Sequence, residues 1–432
     1  MNRFDEFEHA AQTDVGVRRS HNQDSYTVLL ADGQKHWREQ GHVFHVADGM
    51  GAHAVGELAS EIATRTIAHT YHKYAAEGVV SALRKAFAEA NTTIHDRGTK
   101  NPEFKGMGTT STALVLRPEG AWIGHVGDSR AYRVRNGTVH QLSFDHSLVW
   151  EKARRKHVRP EELQGIPANV IVRSLGPETE VEVDIQGPHP IELGDVFLVC
   201  SDGLSGPLGD RELGAVASVL PPSEACEFLI DLANLRGGPD NITVIIVKTG
   251  TPSRSKGGDD EVVLRVPLYK RIPWPLWILL GGFLLAGAAA GLVYYKLPGV
   301  GFTFSTAALA IVAGLVCLFI YHKKEQERQE REPEYRPRTK TYREADCQID
   351  QTLVAKLAKA EEVLVNRARE ANWEVAWKKH EKHHAAAQQA LAQGDFVGAF
   401  RETCRAMQPL TQSLRKQRHK EEAFNPVWEK TD

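Results

Sequence analysis

The sequence has few cysteines and almost no net charge, and both shortages exclude classes of protein. Its 432 residues include 5 cysteines, which are scattered without a C-x-x-C pair or a metal-ligand spacing. This argues against a disulfide framework and favours a reducing compartment. The formal net charge is −2, so no basic excess indicates a nucleic-acid partner. The charged opening, MNRFDEFEHA, lacks the apolar core of a secretory signal.

Charge is also missing from two long stretches in the middle of the chain, which predicts a membrane hairpin. Residues 275–295 and 302–321 are apolar runs without a charged residue. Each has about 20 residues, which at ~1.5 Å per residue spans a hydrocarbon core of ~30 Å. Aromatic residues edge both runs, as in a membrane-interface belt: Trp274, Trp277, Tyr294, Tyr295 and Tyr321. A pair of buried core helices is the alternative interpretation.

The basic residues that flank these runs predict the orientation of the hairpin. Lys270 and Arg271 precede the first run, Lys323 and Lys324 follow the second, and the connecting loop carries only Lys296. Positive residues are retained on the cytoplasmic side of a membrane. We therefore expect a multi-pass protein of the cell inner (cytoplasmic) membrane, with both termini cytoplasmic.

Composition divides the chain into five regions. They are a strand-rich domain (1–250), a linker (251–273), the two-helix transmembrane hairpin (274–322), a charged linker (323–346) and a helical tail (347–432). Around Gly394 the tail resembles the turn and second helix of a tetratricopeptide unit. Only one copy is visible, whereas such arrays normally need about three. We therefore favour a plain helical hairpin for the tail.

Aspartates stand at the ends of several apolar strands in the first region: Asp24, Asp48, Asp128, Asp202 and Asp240. A carboxylate beside a core strand is costly unless it is paired, and several carboxylates at one sheet edge repel one another. Hard divalent cations relieve this repulsion, so we predict oxygen ligands that hold magnesium or manganese. For the Asp48 turn taken alone, capping of the next helix is the alternative.

Eight ordered motifs of this region resemble one family. RRSHNQD, DGMGAHAVGE, GTTSTAL, GDSRAY, FDHSLV, VIVRSLG, SDGL and PDNIT are similar to motifs of the bacterial metal-dependent type 2C (PPM) protein serine/threonine phosphatases. The resemblance covers about residues 11–248. It implies an α+β fold, a four-layer α-β-β-α sandwich of two antiparallel sheets flanked by helices. Two transmembrane helices and an α-helical tail would follow this domain.

The resemblance also implies a set of metal ligands. Asp48 would bridge two divalent ions, Mn²⁺ or Mg²⁺, and the carbonyl of Gly49 would complete one of the two sites. Asp202 and Asp240 would hold the other ion. Asp128 matches a position that helps to bind a third, looser ion in bacterial members of the family.

Two further residues acquire catalytic roles from the same resemblance. Arg19 would bind the substrate phosphate, for which a planar guanidinium is well suited, and Asp24 would hydrogen-bond metal-bound water. The histidine proposed as general acid in many relatives is replaced here by Met50, and for His53, three residues on, we expect a structural or helix-start role. The other basic residues near the motifs are expected to be structural: His45, His125, His146 and Arg173.

These observations predict a membrane-anchored protein serine/threonine phosphatase. A hydroxide that bridges the two metals would attack phosphoserine or phosphothreonine directly. Its partners would be phosphorylated proteins, the substrates of a cognate serine/threonine kinase, and a protein bound by the tail. The alternatives are a phosphatase of one dedicated regulator, as in partner-switching systems, and a silent scaffold. Because every motif precedes Lys248, removal of the tail is expected to leave small-peptide activity unchanged.

Overall fold

Two antiparallel sheets organise the computed structural model, which describes residues 7–51, 54–163, 165–167, 170–250 and 339–424. The first sheet has the spatial order β1 (Phe7–Asp14), β11 (Ile242–Thr249), β10 (Val196–Cys200), β7 (Arg130–Arg135), β8 (Thr138–Gln141) and β12 (Arg343–Asp346). The second has the order β2 (Asp24–Leu29), β3 (His42–Met50), β5 (Ser111–Arg117), β6 (Gly120–Val126) and β9 (Asp184–His189), with β4 (Gly108–Thr109) paired to β3.

Helices cover the outer faces of both sheets. Before residue 251 they are α1 (Gln34–Glu39), α2 (Ala54–Tyr74), α3 (Val79–Lys100), α4 (Leu148–Lys156), α5 (Asp202–Ser205), α6 (Asp210–Val219) and α7 (Pro222–Leu235). After residue 338 they are α8 (Gln351–Glu370), α9 (Trp377–Ala392) and α10 (Phe396–Phe424). The pair α2 and α3 packs on the second sheet, and α6 and α7 pack on the first. The predicted sandwich of two antiparallel sheets between helices is confirmed.

Strand β10 shows why the central strands are apolar at every position. Phe197 and Val199 belong to the core between the two sheets, whereas Leu198 and Cys200 belong to the core beneath α6 and α7. Successive side chains of a strand point to opposite faces of its sheet. Since both faces of this sheet are covered, both sets of side chains are buried. The strand therefore does not show the alternation of apolar and polar residues that is typical of a sheet with one exposed face.

The C-terminal segment belongs to the same compact unit as the sheets. Strand β12 extends the first sheet by pairing with β8, and Arg343 lies opposite Gln141. Beyond it, Cys347 is buried against Gly214 of α6, where an added Cβ would lie only 2.8 Å from the Cβ of Cys347. The prediction of a charged linker up to residue 346 is therefore wrong for its last residues. An edge strand can carry charged side chains on its exposed face. Such a strand lacks the apolar pattern by which strands are recognised in a sequence.

The tail helices complete the hydrophobic core that begins on α6 and α7. Leu353 and Leu357 of α8, with Phe400 and Met407 of α10, join the cluster that contains the outward-facing side chains of β10. The helix break at Gly394 (φ 75°) agrees with the expected helical hairpin, formed by α9 and α10. Helix α8 adds a third element, so the tail packs as three helices against the sheet domain.

The predicted transmembrane hairpin, residues 274–322, lies outside the described residues. Within the ranges that the structure describes, no helix combines the length and the apolar character needed to cross a membrane.

Loss of the ion pair between the tail and α7 should destabilise the whole unit. Arg415 Nε lies 2.5 Å from Asp231 Oδ1, and the Asp231 side chain is only 2 % exposed. Arg415→Ala leaves that carboxylate buried without its cation. Breaking a fully buried pair costs about 3–5 kcal/mol, and because the Arg415 side chain is 25 % exposed we expect about 2 kcal/mol in the free energy of unfolding, measured by urea denaturation.

The matched control is Arg65→Ala. Arg65 pairs with Glu61 at 2.7 Å, but both side chains are exposed, and such pairs contribute about 0–1 kcal/mol. If Arg415→Ala were as mild as Arg65→Ala, the tail would not be part of the cooperative unit.

Candidate active site

Two of the predicted site aspartates lie opposite each other on neighbouring strands. Asp24 begins β2, Asp48 lies near the end of β3, and the two residues are register partners. The main chain of Asp48 is held by Thr110, the residue that precedes β5. Its N–H donates to Thr110 Oγ1 at 2.9 Å, and its carbonyl accepts from the N–H of Thr110 at 2.8 Å. These bonds fix the backbone and leave the carboxylate for other partners.

Gly49 is required by a close approach between β3 and α2. A Cβ at this position would lie 2.0 Å from the carbonyl oxygen of Gly56 and 2.6 Å from that of Gln23. Any larger residue would push the strand away from the helix, and Asp48 would move with it. The structure thus accounts for the glycine after Asp48 through packing, independently of the ligand role expected for its carbonyl.

The first sheet contributes two more of the predicted aspartates. Asp202 opens α5 directly after β10, and Asp240 lies two residues before β11. A Cβ on Gly203 would meet the carbonyl oxygen of Asn241 at 1.9 Å, so this glycine lets the two segments touch. A further link crosses between the sheets, since Ser201 Oγ donates to Asp24 Oδ2 at 2.7 Å.

Asp128 lies in the turn that carries the chain from β6 of the second sheet to β7 of the first. A 2.7 Å hydrogen bond between Ser129 Oγ and Thr110 Oγ1 ties the turn to the residue that precedes β5. The N–H of Gly127 donates to His146 Nδ1 at 3.0 Å. Asp128 itself is 5 % exposed. The residues before and after Asp128 are therefore anchored, and its carboxylate is close enough to those of Asp48 and Asp202 for their charges to interact.

Burial and mutual repulsion perturb these carboxyl groups. Burial raises the pKa of Asp24 to about 7, although the hydrogen bond from Ser201 opposes the shift. Burial, followed by the charge of Asp202, raises the pKa of Asp128 to about 8. The pKa of Asp48 is raised well above its usual value by burial and then by the charge of Asp24. Burial also raises the pKa of Asp202, with a further contribution from Asp240.

The donor set fits divalent cations. One buried carboxylate oxygen on each of Asp24, Asp128 and Asp202 has no hydrogen-bond partner among the described residues. Unpartnered buried carboxylate oxygens beside other carboxylates are costly without positive charge. Oxygen-only ligands are those of Mg²⁺ and Mn²⁺. The cluster therefore has the ligands and the negative charge that hard divalent cations require.

Arg19 lies at the exposed rim of the cluster. Its Nη2 donates to Asp240 Oδ2 at 2.6 Å, and 47 % of its side chain is exposed. The guanidinium is thus close to the carboxylates and open to solvent on its other side. This placement is compatible with the phosphate-binding role that we expected for it.

The histidines behave as structural residues. Both ring nitrogens of His125 have partners, Thr112 Oγ1 at 2.9 Å and the carbonyl of Phe144 at 2.8 Å. Burial lowers the pKa of His125 to about 3, and likewise that of His45. Neither imidazole is protonated at neutral pH. His53 lies outside the described residues.

A charge network that our sequence reasoning missed connects the site to the tail. Arg130 donates to Asp145 Oδ2 from Nε at 2.9 Å and from Nη2 at 2.7 Å, and its Nη1 lies 3.9 Å from Asp210 Oδ1. Arg343 of β12 lies 3.4 Å from Asp210 and 2.8 Å from Glu161. The charge of Arg130 in turn lowers the pKa of Asp202, against the larger effect of burial.

Hydrogen bonds and ring contacts also connect the C-terminal segment to the residues around Asp145. The N–H of Tyr342 donates to the carbonyl of Gln141 at 2.9 Å, and Gln141 Nε2 donates to Asp145 Oδ1 at 2.8 Å. The Tyr342 ring lies 5.4 Å from that of Phe144, which precedes α4. Arg130 and Asp145 stand inside the motifs GDSRAY and FDHSLV, so their residue types were visible in the sequence. Nothing in the sequence signals the partner strand, which lies some two hundred residues further along.

Comparisons with known proteins identify the family. Residues 17–228 match the family model described as Protein phosphatase 2C. Serine/threonine phosphatase stp of Listeria welshimeri is 36% identical over 243 residues, which are 55% of this chain and 94% of that protein. Serine/threonine protein phosphatase PstP of Mycobacterium tuberculosis is 33% identical over 243 residues, 55% of this chain and 44% of that protein.

Comparison with solved structures also finds serine/threonine phosphatases. The crystal structure of the Mycobacterium tuberculosis serine/threonine phosphatase PstP/Ppp matches with a TM-score of 0.51 and 31% identity, covering 57% of this chain and 99% of that one. The S. agalactiae serine/threonine phosphatase matches with a TM-score of 0.50 and 34% identity, covering 56% of this chain and 99% of that one. The chain therefore belongs to the protein phosphatase 2C (PPM) family and is a metal-dependent serine/threonine phosphatase.

Neutralising one site carboxylate should stabilise the metal-free protein. Asp48→Asn removes a buried charge that repels its neighbours, so the melting temperature in EDTA should rise. The same variant should lose the increase in melting temperature that Mn²⁺ gives to the wild type, if Asp48 is the metal ligand that we expect it to be. Differential scanning calorimetry with and without Mn²⁺ measures both effects.

Asp195→Asn is the matched control. Asp195 is 1 % exposed, and its carboxylate is paired with Arg135 through two 2.6 Å contacts. This substitution should lower stability by about 2–3 kcal/mol and leave the Mn²⁺ effect intact. A metal-free Asp48→Asn protein that melts below the wild type would contradict the repulsion.

The charge network that links Arg130 to Arg343 of the tail should affect the rate of phosphate-ester hydrolysis. Arg343→Ala removes a positive charge from Asp210 and Glu161, so Arg130 is drawn from Asp145 towards Asp210. We expect kcat/KM for a phosphothreonine peptide to fall by about 3–10-fold, equivalent to roughly 1 kcal/mol. Glu344→Ala on the same strand is the control, since the Glu344 side chain is 62 % exposed and lies 3.7 Å from His140. Equal rates for the two variants would show that β12 does not influence the site.

Proposed function

We propose that this protein is a membrane-anchored phosphatase that removes phosphate from serine and threonine residues of cytoplasmic proteins. The observation that carries the proposal is the cluster of five aspartates, in which three buried carboxylate oxygens lack a partner among the described residues. Such a cluster is costly unless cations occupy it, and cations are what hydrolysis of a phosphate ester needs.

The positions of the aspartates indicate which of them would hold metal ions. Asp48, Asp202, Asp240 and the carbonyl of Gly49 would hold two ions, and Asp128 a third. Bound divalent cations neutralise phosphoryl oxygens and lower the pKa of water to near neutrality. A structure of the catalytic domain of PstP, whose TM-score to this chain is 0.49, is in complex with two manganese ions.

Asp24 and Arg19 act on either side of these ligands. Asp24 accepts a hydrogen bond from Ser201 on one oxygen, which leaves its other oxygen to orient water for attack on phosphorus. Arg19 would exchange part of its contact with Asp240 for two oxygens of the substrate phosphate. Because the guanidinium lies at the rim, the phosphorylated side chain would enter from solvent with the phosphate leading.

The role of Arg19 can be separated from metal binding. Arg19→Ala should raise KM for a phosphothreonine peptide by about 10-fold or more, because a hydrogen bond to a charged group contributes about 1.5–3 kcal/mol. The Kd for Mn²⁺ should not rise, since Asp240 loses only a competing cation.

Arg18→Ala is the control, because Arg18 is the exposed neighbour of Arg19 in sequence and precedes the same site. Steady-state kinetics and Mn²⁺ titration give both constants. An unchanged KM for Arg19→Ala would remove Arg19 from substrate binding. A matched rise with Arg18→Ala would indicate a general effect of positive charge.

Anchoring in the cell inner (cytoplasmic) membrane rests on the apolar runs of residues 275–295 and 302–321. The fold adds support for two crossings. Strand β11 precedes these runs and β12 follows them, and both strands belong to one sheet. A chain that leaves one folded unit and returns to it must cross a membrane an even number of times. The tail would then face the same phosphorylated proteins as the active site.

Cysteine accessibility tests this topology. A cysteine introduced at Gly299, between the two runs, should react with a membrane-impermeant maleimide added outside intact cells. A cysteine at exposed Glu344 should react only after lysis. Labelling of both from one side, in a membrane fraction, would mean that residues 275–321 do not cross the bilayer.

The physiological substrates would be targets of a cognate serine/threonine kinase. Phosphoproteomics of a strain that carries Asp202→Asn should show accumulated phosphoserine and phosphothreonine on cytoplasmic proteins. Accumulation on a single regulator would instead favour the partner-switching alternative.

A further inference from the structure

A second cluster of metal-ligating side chains lies in the C-terminal helices. Glu361 is on α8, and His380 and His384 stand one turn apart on α9. One ligand atom from each of the three residues lies within 4.8 Å of the others. Residues at i and i+4 share a face of a helix, and here that face is turned towards the carboxylate of α8.

Two of the three side chains in this cluster are buried. The side chain of Glu361 is 3 % exposed and that of His380 is 7 % exposed. Glu361 Oε1 lies 2.8 Å from His384 Nδ1 and 3.7 Å from His380 Nδ1. A buried carboxylate is costly without a positive partner. The two imidazoles give Glu361 a positive partner only when one of them is protonated. A metal ion is positively charged in every case.

The ring of His380 is already oriented by the backbone. Its Nδ1 donates to the carbonyl of Ala406 on α10 at 3.0 Å, which leaves the lone pair on Nε2. A ring N–H bonded to a backbone carbonyl is the usual outer contact of a metal-binding histidine. His384 remains 48 % exposed, so an ion could enter from solvent on that side.

The donor types indicate which ions would bind. Two imidazoles and one carboxylate are the ligands of many zinc sites, and imidazole suits the borderline transition metals. The active-site cluster, in contrast, offers oxygen alone. The two clusters should therefore select different ions from a mixture.

We propose that Glu361, His380 and His384 form a binding site for Zn²⁺ or a similar borderline transition-metal ion. The ion takes the place of the proton shared by Glu361 and His384 and links α8 to α9. Since these helices pack on the sheet domain through the shared core, an ion bound here stabilises the same unit that carries the active site.

The test uses the full-length protein with its active site saturated by Mg²⁺ and Zn²⁺ alone as the probe. Chelator competition gives the Kd, and X-ray absorption at the zinc edge identifies the ligands. We expect about one zinc per chain with imidazole scattering. Glu361→Gln, His380→Ala and His384→Ala should each raise the Kd at least about 10-fold, because loss of even an outer partner of a metal ligand costs about 10–100-fold.

His383→Ala is the matched control. His383 stands on the same helix and its Nδ1 lies 2.7 Å from Glu402, but it is not part of the three-residue cluster. The Kd should be unchanged in this variant. Oxygen-only scattering, a wild-type Kd in the three site variants, or an equal loss with His383→Ala would each overturn the proposal and leave Glu361 and His384 as a simple hydrogen-bonded pair.

Discussion

Repulsion among buried aspartates, where the two sheets meet, is the constraint on which the structure depends. Asp24 and Asp48 come from the second sheet, Asp202 and Asp240 flank strands of the first, and Asp128 lies in the turn between the sheets. Charge–charge repulsion adds to burial in raising the pKa values of four of these groups. A fold that accepts this cost can be stable with cations bound and is strained without them.

The supporting structure is arranged to hold those carboxylates in place. Gly49 and Gly203 allow close backbone approaches that larger residues would prevent. Arg130 and Asp145 form a buried pair beside the site, and β12 from the distant C-terminal segment braces that pair through Gln141 and Arg343. The tail therefore packs directly on the domain that carries the active site. The unchanged small-peptide activity that we expect after removal of the tail stays a prediction.

Much of the fold and most of the candidate site could be predicted from the sequence. Asp48 and Asp202 lie at the ends of strands that are buried on both faces, and a carboxylate placed there is costly enough to indicate a special role. The helix break at Gly394 was predicted from local turn chemistry. The edge strand Arg343–Asp346 was missed because a short, charged edge strand has no apolar alternation. Its pairing with β8 is a long-range contact, which local patterns do not encode.

The most direct test of the account is anomalous diffraction from crystals grown with Mn²⁺. We expect anomalous peaks between the carboxylates of Asp48, Asp202 and Asp240. A crystal grown with Mn²⁺ that shows no anomalous peak among these carboxylates would contradict the two-metal site.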